Sequence, residues 1–281
     1  MTKRLLPLLW VLCCTPVHSQ VTLAGYWDPI YWEDSEERIS GPALGDYAGL
    51  PVNDAARLRA DSWDASLQTL PEHQCVPHPA TYGFRGVGTL RIEEQHDSES
   101  KQLVKIDTWI NWQEQHREIW MDGRPSPPAN ALHTWQGFSR GHYEGDVLVV
   151  ETDHLKVGWI RRNGLPLSDQ ATLKEYFFRH EQVLTHISII SDPVYLSEPL
   201  VRSDGFSYAA NGIMAPYPCR AAVEIPRARG EVPHHLPGTN TFLNEYGARH
   251  CLPATAERGG AKTALPEFMD SLEPLPSCGA R

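Results

Sequence analysis

The chain has 281 residues, 41% hydrophobic and 9% aromatic, with a formal charge of -10. That hydrophobic fraction excludes wholesale disorder. The acidic balance argues against nucleic acid or an anionic membrane surface as partner, because both demand a basic footprint.

The N-terminus has the three parts of a secretory signal. Lys3 and Arg4 precede the apolar run Leu5 to Cys14, and Val17 and Ser19 supply the small residues of a cleavage site before Gln20. The run is too short to cross about 30 Å of hydrocarbon. Residues 1–19 therefore read as a signal peptide cleaved near Ser19, and the mature chain as periplasmic or secreted, without membrane insertion. Losing Lys3 and Arg4 takes the formal charge from -10 to -12.

Residues 20–72 read as an N-terminal arm and a short helix. The arm is rich in Gly, Trp and acids, and Val52 to Leu67 is the helix candidate, capped by Asn53 or Asp54 and closed by Pro71. From residue 87 the period changes to two. VGTLRIEE, QLVKIDTWI, REIWM, DVLVVET, TLKEYFFRH and QVLTHISII are short runs of β-branched and aromatic residues. They mark a β domain over 73–204: an antiparallel meander closing into a lipocalin-like or similar open barrel. Residues 205–281 read as a Pro-rich C-terminal wrap of the same domain, with one short helix at Thr241 to His250. Cys13 and Cys14 leave with the signal, so Cys75, Cys219, Cys251 and Cys278 remain in an oxidising compartment. Three pairings are open. Cys75–Cys219 with Cys251–Cys278 is favoured, because CVPHP and APYPC bracket the strand-rich middle.

Chemistry concentrates in residues 133–166, where His133, Trp135, His142, His154, Trp159, Arg161 and Arg162 crowd one strand-turn-strand pattern. A histidine near neutral pH can move a proton, and adjacent arginines beside an indole can grip a carboxylate or phosphate. His78 and the His234-His235 pair add imidazoles in Pro-flanked loops. Gly137 to Gly141 matches G-x-S-x-G, but a strand rather than a helix follows, so it reads as a glycine-bordered loop or bulge. Glu144 and Asp146 read as turn residues rather than an acid-base pair. No local metal-ligand spacing occurs among the histidines, so no metal and no cofactor is assigned.

With these residues in view, the chain resembles a family of exported bacterial proteins of unassigned function. The carriers are CVPHPATY at 75–82, IWMDGRPSPP at 119–128, HTWQGFSRGHYEGDVLVVET at 133–152, HLKVGWIRRNGLPLSDQATLKEY at 154–176, SDPVYLSEP at 191–199 and APYPC at 215–219. Tyr143 stands where many relatives have Trp. The resemblance implies no activity, but it gathers His78, His133, His154, Trp159, Arg161, Arg162 and Asp192 into one set. The expected function is binding, with or without transformation, of a small lipophilic or aromatic carboxylate in the barrel pocket. His133, His154 and Asp192 are the catalytic candidates, and His78, Trp135, Trp159, Arg161, Arg162 and His235 the ligand contacts. The alternatives are a cofactor-free isomerase, lyase or hydrolase using His133 or His154 with Arg161, and an envelope structural or interaction protein.

Overall fold

The computed structural model describes residues 21–66, 71–220 and 226–273. The signal expected at 1–19 and Cys278 lie outside the described residues. The fold is mainly β. Each of the period-two runs forms a strand: β2 (Leu90–His96), β3 (Leu103–Ile110), β4 (Gln115–Trp120), β6 (Val147–Asp153), β9 (Thr172–His180) and β10 (Val183–Ser191).

Three further strands complete a closed barrel in the order β1-β11-β10-β9-β6-β5-β4-β3-β2. They are β1 (Gly25–Pro29), within the arm, β5 (Phe138–Glu144), which begins inside the G-x-S-x-G segment expected to be a loop or bulge, and β11 (Leu200–Tyr208), which runs across residue 204. Their alternation is masked by what they bury. Ser139 of β5 and Asp204 of β11 are buried polar residues. Gly141 of β5 leaves room for Met121, whose sulfur lies 2.6 Å from where a Cβ would stand.

The meander is broken once. Pro125, Pro127 and Pro128 cannot donate to a ladder, so the chain leaves the sheet after β4. It returns in parallel, through Ile119↔Ser139 and Trp120↔Arg140. The Glu144-Gly145-Asp146 turn then closes the β5–β6 hairpin, with Gly145 at φ +63°. A separate two-stranded ribbon, β7 (Gly158–Trp159) with β8 (Pro166–Leu167), lies outside the barrel.

Two apolar cores result. The first fills the lumen with Trp27, Leu90, Ile106, Ile119, Leu148, Phe177 and Phe206. The second gathers Val52, Ala56, Ala60, Ala80, Leu155, Leu165, Leu173, Ile190 and Leu200 at one end of the strands, as a cap. Helix α1 (Asp54–Asp61) is shorter than the 52–67 expected, and presents Ala56 and Ala60, one turn apart, to that cap. Asn53 caps it by accepting from the Ala56 N–H at 3.0 Å. After α2 (Pro71–Gln74) comes α3 (Ala80–Gly83), which stoppers the lumen. Phe84, directly after it, sits 5.5 Å from Phe177 and 4.7 Å from His186. Side chains thus occupy the lumen of a closed barrel, in place of the open pocket expected, as barrels of this size permit.

The helix expected at 241–250 is a 3-10 turn (Thr241–Asn244) continued by α4 (Glu245–His250). Asn240 pins it to the cap by donating to the carbonyls of Asp61 and Trp63. Cys75 and Cys219 form a disulfide. Cys251 is also disulfide-bonded.

Candidate functional site

A cavity of about 350 Å³ lies among the capping segments. Trp63 follows α1, His73 and Gln74 end α2, and His78 precedes α3. Trp112 and Gln113 come from the β3–β4 turn, Trp159 from β7, Arg162 from the β7–β8 loop, and Tyr217 and Cys219 from the C-terminal segment. Gly164 seats Trp63: its φ is +89°, and the Trp63 Cβ lies 2.3 Å from where a side chain would begin. A larger residue there would strain the loop and push the indole away.

The walls are rings, and those around His78 are set edge to face. His78 lies 4.8 Å from Trp112, 4.9 Å from Tyr82 and 6.2 Å from Trp159, and Trp63 lies 5.9 Å from Trp159. Both ring nitrogens of His78 are buried without a hydrogen-bond partner. Burial, reinforced by the Arg162 charge, lowers its pKa to about 3, so the ring is neutral at physiological pH. Burial lowers His73 as well.

Arg162 is the charged group in this wall. It donates from Nε to the Tyr82 hydroxyl at 3.0 Å, and from Nη2 to the carbonyls of Glu37, Arg38 and Ile39. Its guanidinium stands 5.7 Å from the Trp112 ring centre. No carboxylate among the described residues pairs with it, and its Nη1 makes no hydrogen bond to them. The site is therefore a neutral aromatic box with one positive charge.

The structure does not gather the expected residues around one cavity. His78, Trp159 and Arg162 line the aromatic box. Arg161, next in sequence to Arg162, points elsewhere, between cavities of about 510 and 870 Å³. It is held there by Glu37 and by Asp46, 3.1 Å away, so its charge is already matched. His133 and His154 line none of these cavities. Their rings are 5.2 Å apart, with His133 Nδ1 2.8 Å from the Leu155 carbonyl and His154 bridging Asp153 and the Pro128 carbonyl. The Asp153 contact raises the His154 pKa.

Trp135 lies 6.4 Å from Trp159 but faces a neighbouring cavity. His235 sits near Asp64 and Phe242. Asp192 is buried, and its oxygens accept from the Ser168 N–H and hydroxyl and from the Val194 and Tyr195 N–H groups. It ties the β8–β9 loop to the β10–β11 turn, and it lines none of these cavities. Among the described residues, no group of three or more His, Cys, Asp or Glu could hold a metal ion.

A second polar assembly lies inside the barrel and escaped the sequence reading. Arg117 of β4 grips Glu175 of β9 through both guanidinium ends, and His186 of β10 bridges Glu175 at 3.0 Å and Asp204 of β11 at 3.3 Å. Arg85 continues from Asp204 to Asp34. Burial alone would raise Glu175, yet Arg117 and His186 hold it down at about 2. For His186 burial pulls downward, and the two carboxylates outweigh it, so its pKa is raised. The available signal was parity: Glu175 sits between Leu173 and Phe177, and Arg117 between Gln115 and Ile119, on the inward-facing register of their strands.

Compared with known proteins, the chain matches no family model, no curated protein and no solved structure.

Proposed function

We propose that this is an exported binding protein for small aromatic carboxylates, held in the aromatic box of the cap rather than in the lumen. Membership of the exported family it resembles belongs to the same reading. The observation that carries it is Arg162, the one positive charge in an otherwise neutral ring-lined cavity. A planar ligand gains from ring contacts worth about 0.5–1.5 kcal/mol each. Its carboxylate meets the Nη1 edge of Arg162 in a charge-assisted hydrogen bond. Neutral His78 adds apolar wall without repelling Arg162 or demanding a counter-ion.

Binding is favoured over turnover because no carboxylate, serine hydroxyl or free thiol is among the described residues lining the box. The disulfide and the lack, among the described residues, of any helix long and apolar enough to cross a membrane accord with export. The test is calorimetric titration with benzoate, cinnamate and 2-naphthoate, beside 2-naphthamide and an aliphatic carboxylate of similar size. The aromatic acids should bind and both controls should fail. Equal binding of the amide would remove the role of charge, and equal binding of the aliphatic acid the role of the rings.

A further inference from the structure

One wall of the aromatic box is anchored differently from the others. Trp63 is pinned through the Trp63 carbonyl to Asn240, Trp159 lies in a strand, and Arg162 is tied to the arm at several carbonyls. Tyr217 and Cys219 belong to segment 213–220, which contains no helix or strand. Among the described residues, nothing in that segment forms a hydrogen bond or ion pair with the rest of the chain. Its tie is the covalent bond from Cys219 to Cys75, three residues before His78. Both cysteines are half-buried, and Cys219 faces the cavity. A segment with so few internal contacts has little local stability of its own.

We propose that the Cys75–Cys219 bond is the latch of the aromatic box: exchange with a dithiol frees segment 213–220, withdraws Tyr217 and lets the ligand leave. A thiolate of the dithiol attacks one sulfur, the Cys75–Cys219 bond breaks, and the other cysteine departs as thiolate. The second thiol of the dithiol resolves the mixed disulfide. Two electrons and two protons pass to the protein, leaving two cysteine thiols and an oxidised dithiol. The ligand class rests on the proposed function, whereas the release of the segment does not.

The experiment uses the full chain carrying Cys251→Ser and Cys278→Ser, so that dithiothreitol acts on this bridge alone. If that variant does not fold, the wild-type chain is reduced in the same way. Affinity for 2-naphthoate and hydrogen exchange are followed before and after reduction. Reduction should raise exchange in peptides covering 209–220 and leave β9 and β10 protected. It should weaken 2-naphthoate by roughly tenfold or more, because an unpinned wall must be re-ordered on binding. Reoxidation restores both. Tyr217→Ala, with the bridge intact, should weaken 2-naphthoate without altering exchange in the barrel. Unchanged exchange and affinity after reduction would overturn the latch, as would loss of protection in β9 and β10 together with the segment. If the oxidised protein does not bind 2-naphthoate at all, the ligand class falls and the exchange readout alone decides the latch.

Discussion

The lumen and the cap each enclose an arginine, and they treat it in opposite ways. Arg117 is buried inside the barrel and fully answered: Glu175 takes both ends of its guanidinium, and Ser139 and Thr152 complete it. Arg162 sits among rings and is answered only by a phenol and backbone carbonyls. A buried charge with its partner is a structural element, since removing one side strands the other. A charge against aromatic walls without an acid is poised to receive an anion. The same residue type marks architecture in one place and recognition in the other.

The most damaging way to probe this contrast is to cut the lumen pair. Arg117→Leu leaves Glu175 buried beside His186 without its main counter-charge, and should cost about 3–5 kcal/mol in urea unfolding. Replacing Glu175 by Leu as well should recover part of that loss, because both charges then go together. A loss under about 1 kcal/mol for Arg117→Leu would mean that the pair is solvated and not a structural element.

The two regions also titrate in opposite directions. His78 has a folded-state pKa depressed from 6.5 to about 3, so below pH 6.5 the unfolded chain takes up a proton that the folded chain refuses. Stability should fall as the pH drops through this window, by up to about 1.4 kcal/mol per pH unit. His186 is raised, so its stabilisation is complete below pH 6.5 and is lost as the pH climbs through its folded value. Stability measured against pH should therefore peak near 6.5. His78→Phe should flatten the acid limb between pH 6.5 and 5 while leaving the alkaline limb in place. An unchanged acid limb would show that His78 is not the group responsible.

The smallest expected effect lies in the cap scaffold. Asn53→Ala removes the N-cap of α1 and a bond to the Val194 carbonyl, and should cost about 1 kcal/mol. Ligand affinity should change little, because Trp63 remains pinned through Asn240. A loss of binding as large as that from an Arg162 substitution would show that α1 positions the site directly.

How much of this was legible in the sequence differs between the regions for a physical reason. Strand alternation reports the lumen: β2, β3, β4, β6, β9 and β10 were readable because apolar residues recur on their buried faces, Leu90 and Ile92, Leu173 and Phe177, and Leu184 and Ile190 among them. β5 and β11 were not, because Ser139, Gly141, Arg202 and Asp204 occupy inward or tightly packed positions. The same parity that revealed apolar faces could have exposed Glu175 and His186 as buried, had their register been followed through the polar residues. The aromatic box is assembled from segments near residues 63, 73–78, 112, 159–162 and 217, and no local period connects them. His78, Trp159 and Arg162 were visible as unusual residues in loops. Their companions Trp63, Trp112 and Tyr217 depend on how the chain crosses over. Arg161 and Arg162 could not be told apart at all, since adjacent side chains leave an irregular loop in different directions.

The central claim is that Arg162 supplies the anion contact of the aromatic box. The direct measurement is the affinity of 2-naphthoate for the wild-type protein, Arg162→Lys and Arg162→Leu, with unfolding stability measured on each. Arg162→Lys keeps the charge but loses the planar fork, and should bind several-fold more weakly. Arg162→Leu should lose at least about tenfold, in line with the roughly 1.5–3 kcal/mol of a hydrogen bond to a charged group. It should stay folded, with a modest loss of stability from the released arm carbonyls. Undiminished affinity in a folded Arg162→Leu protein would contradict the account.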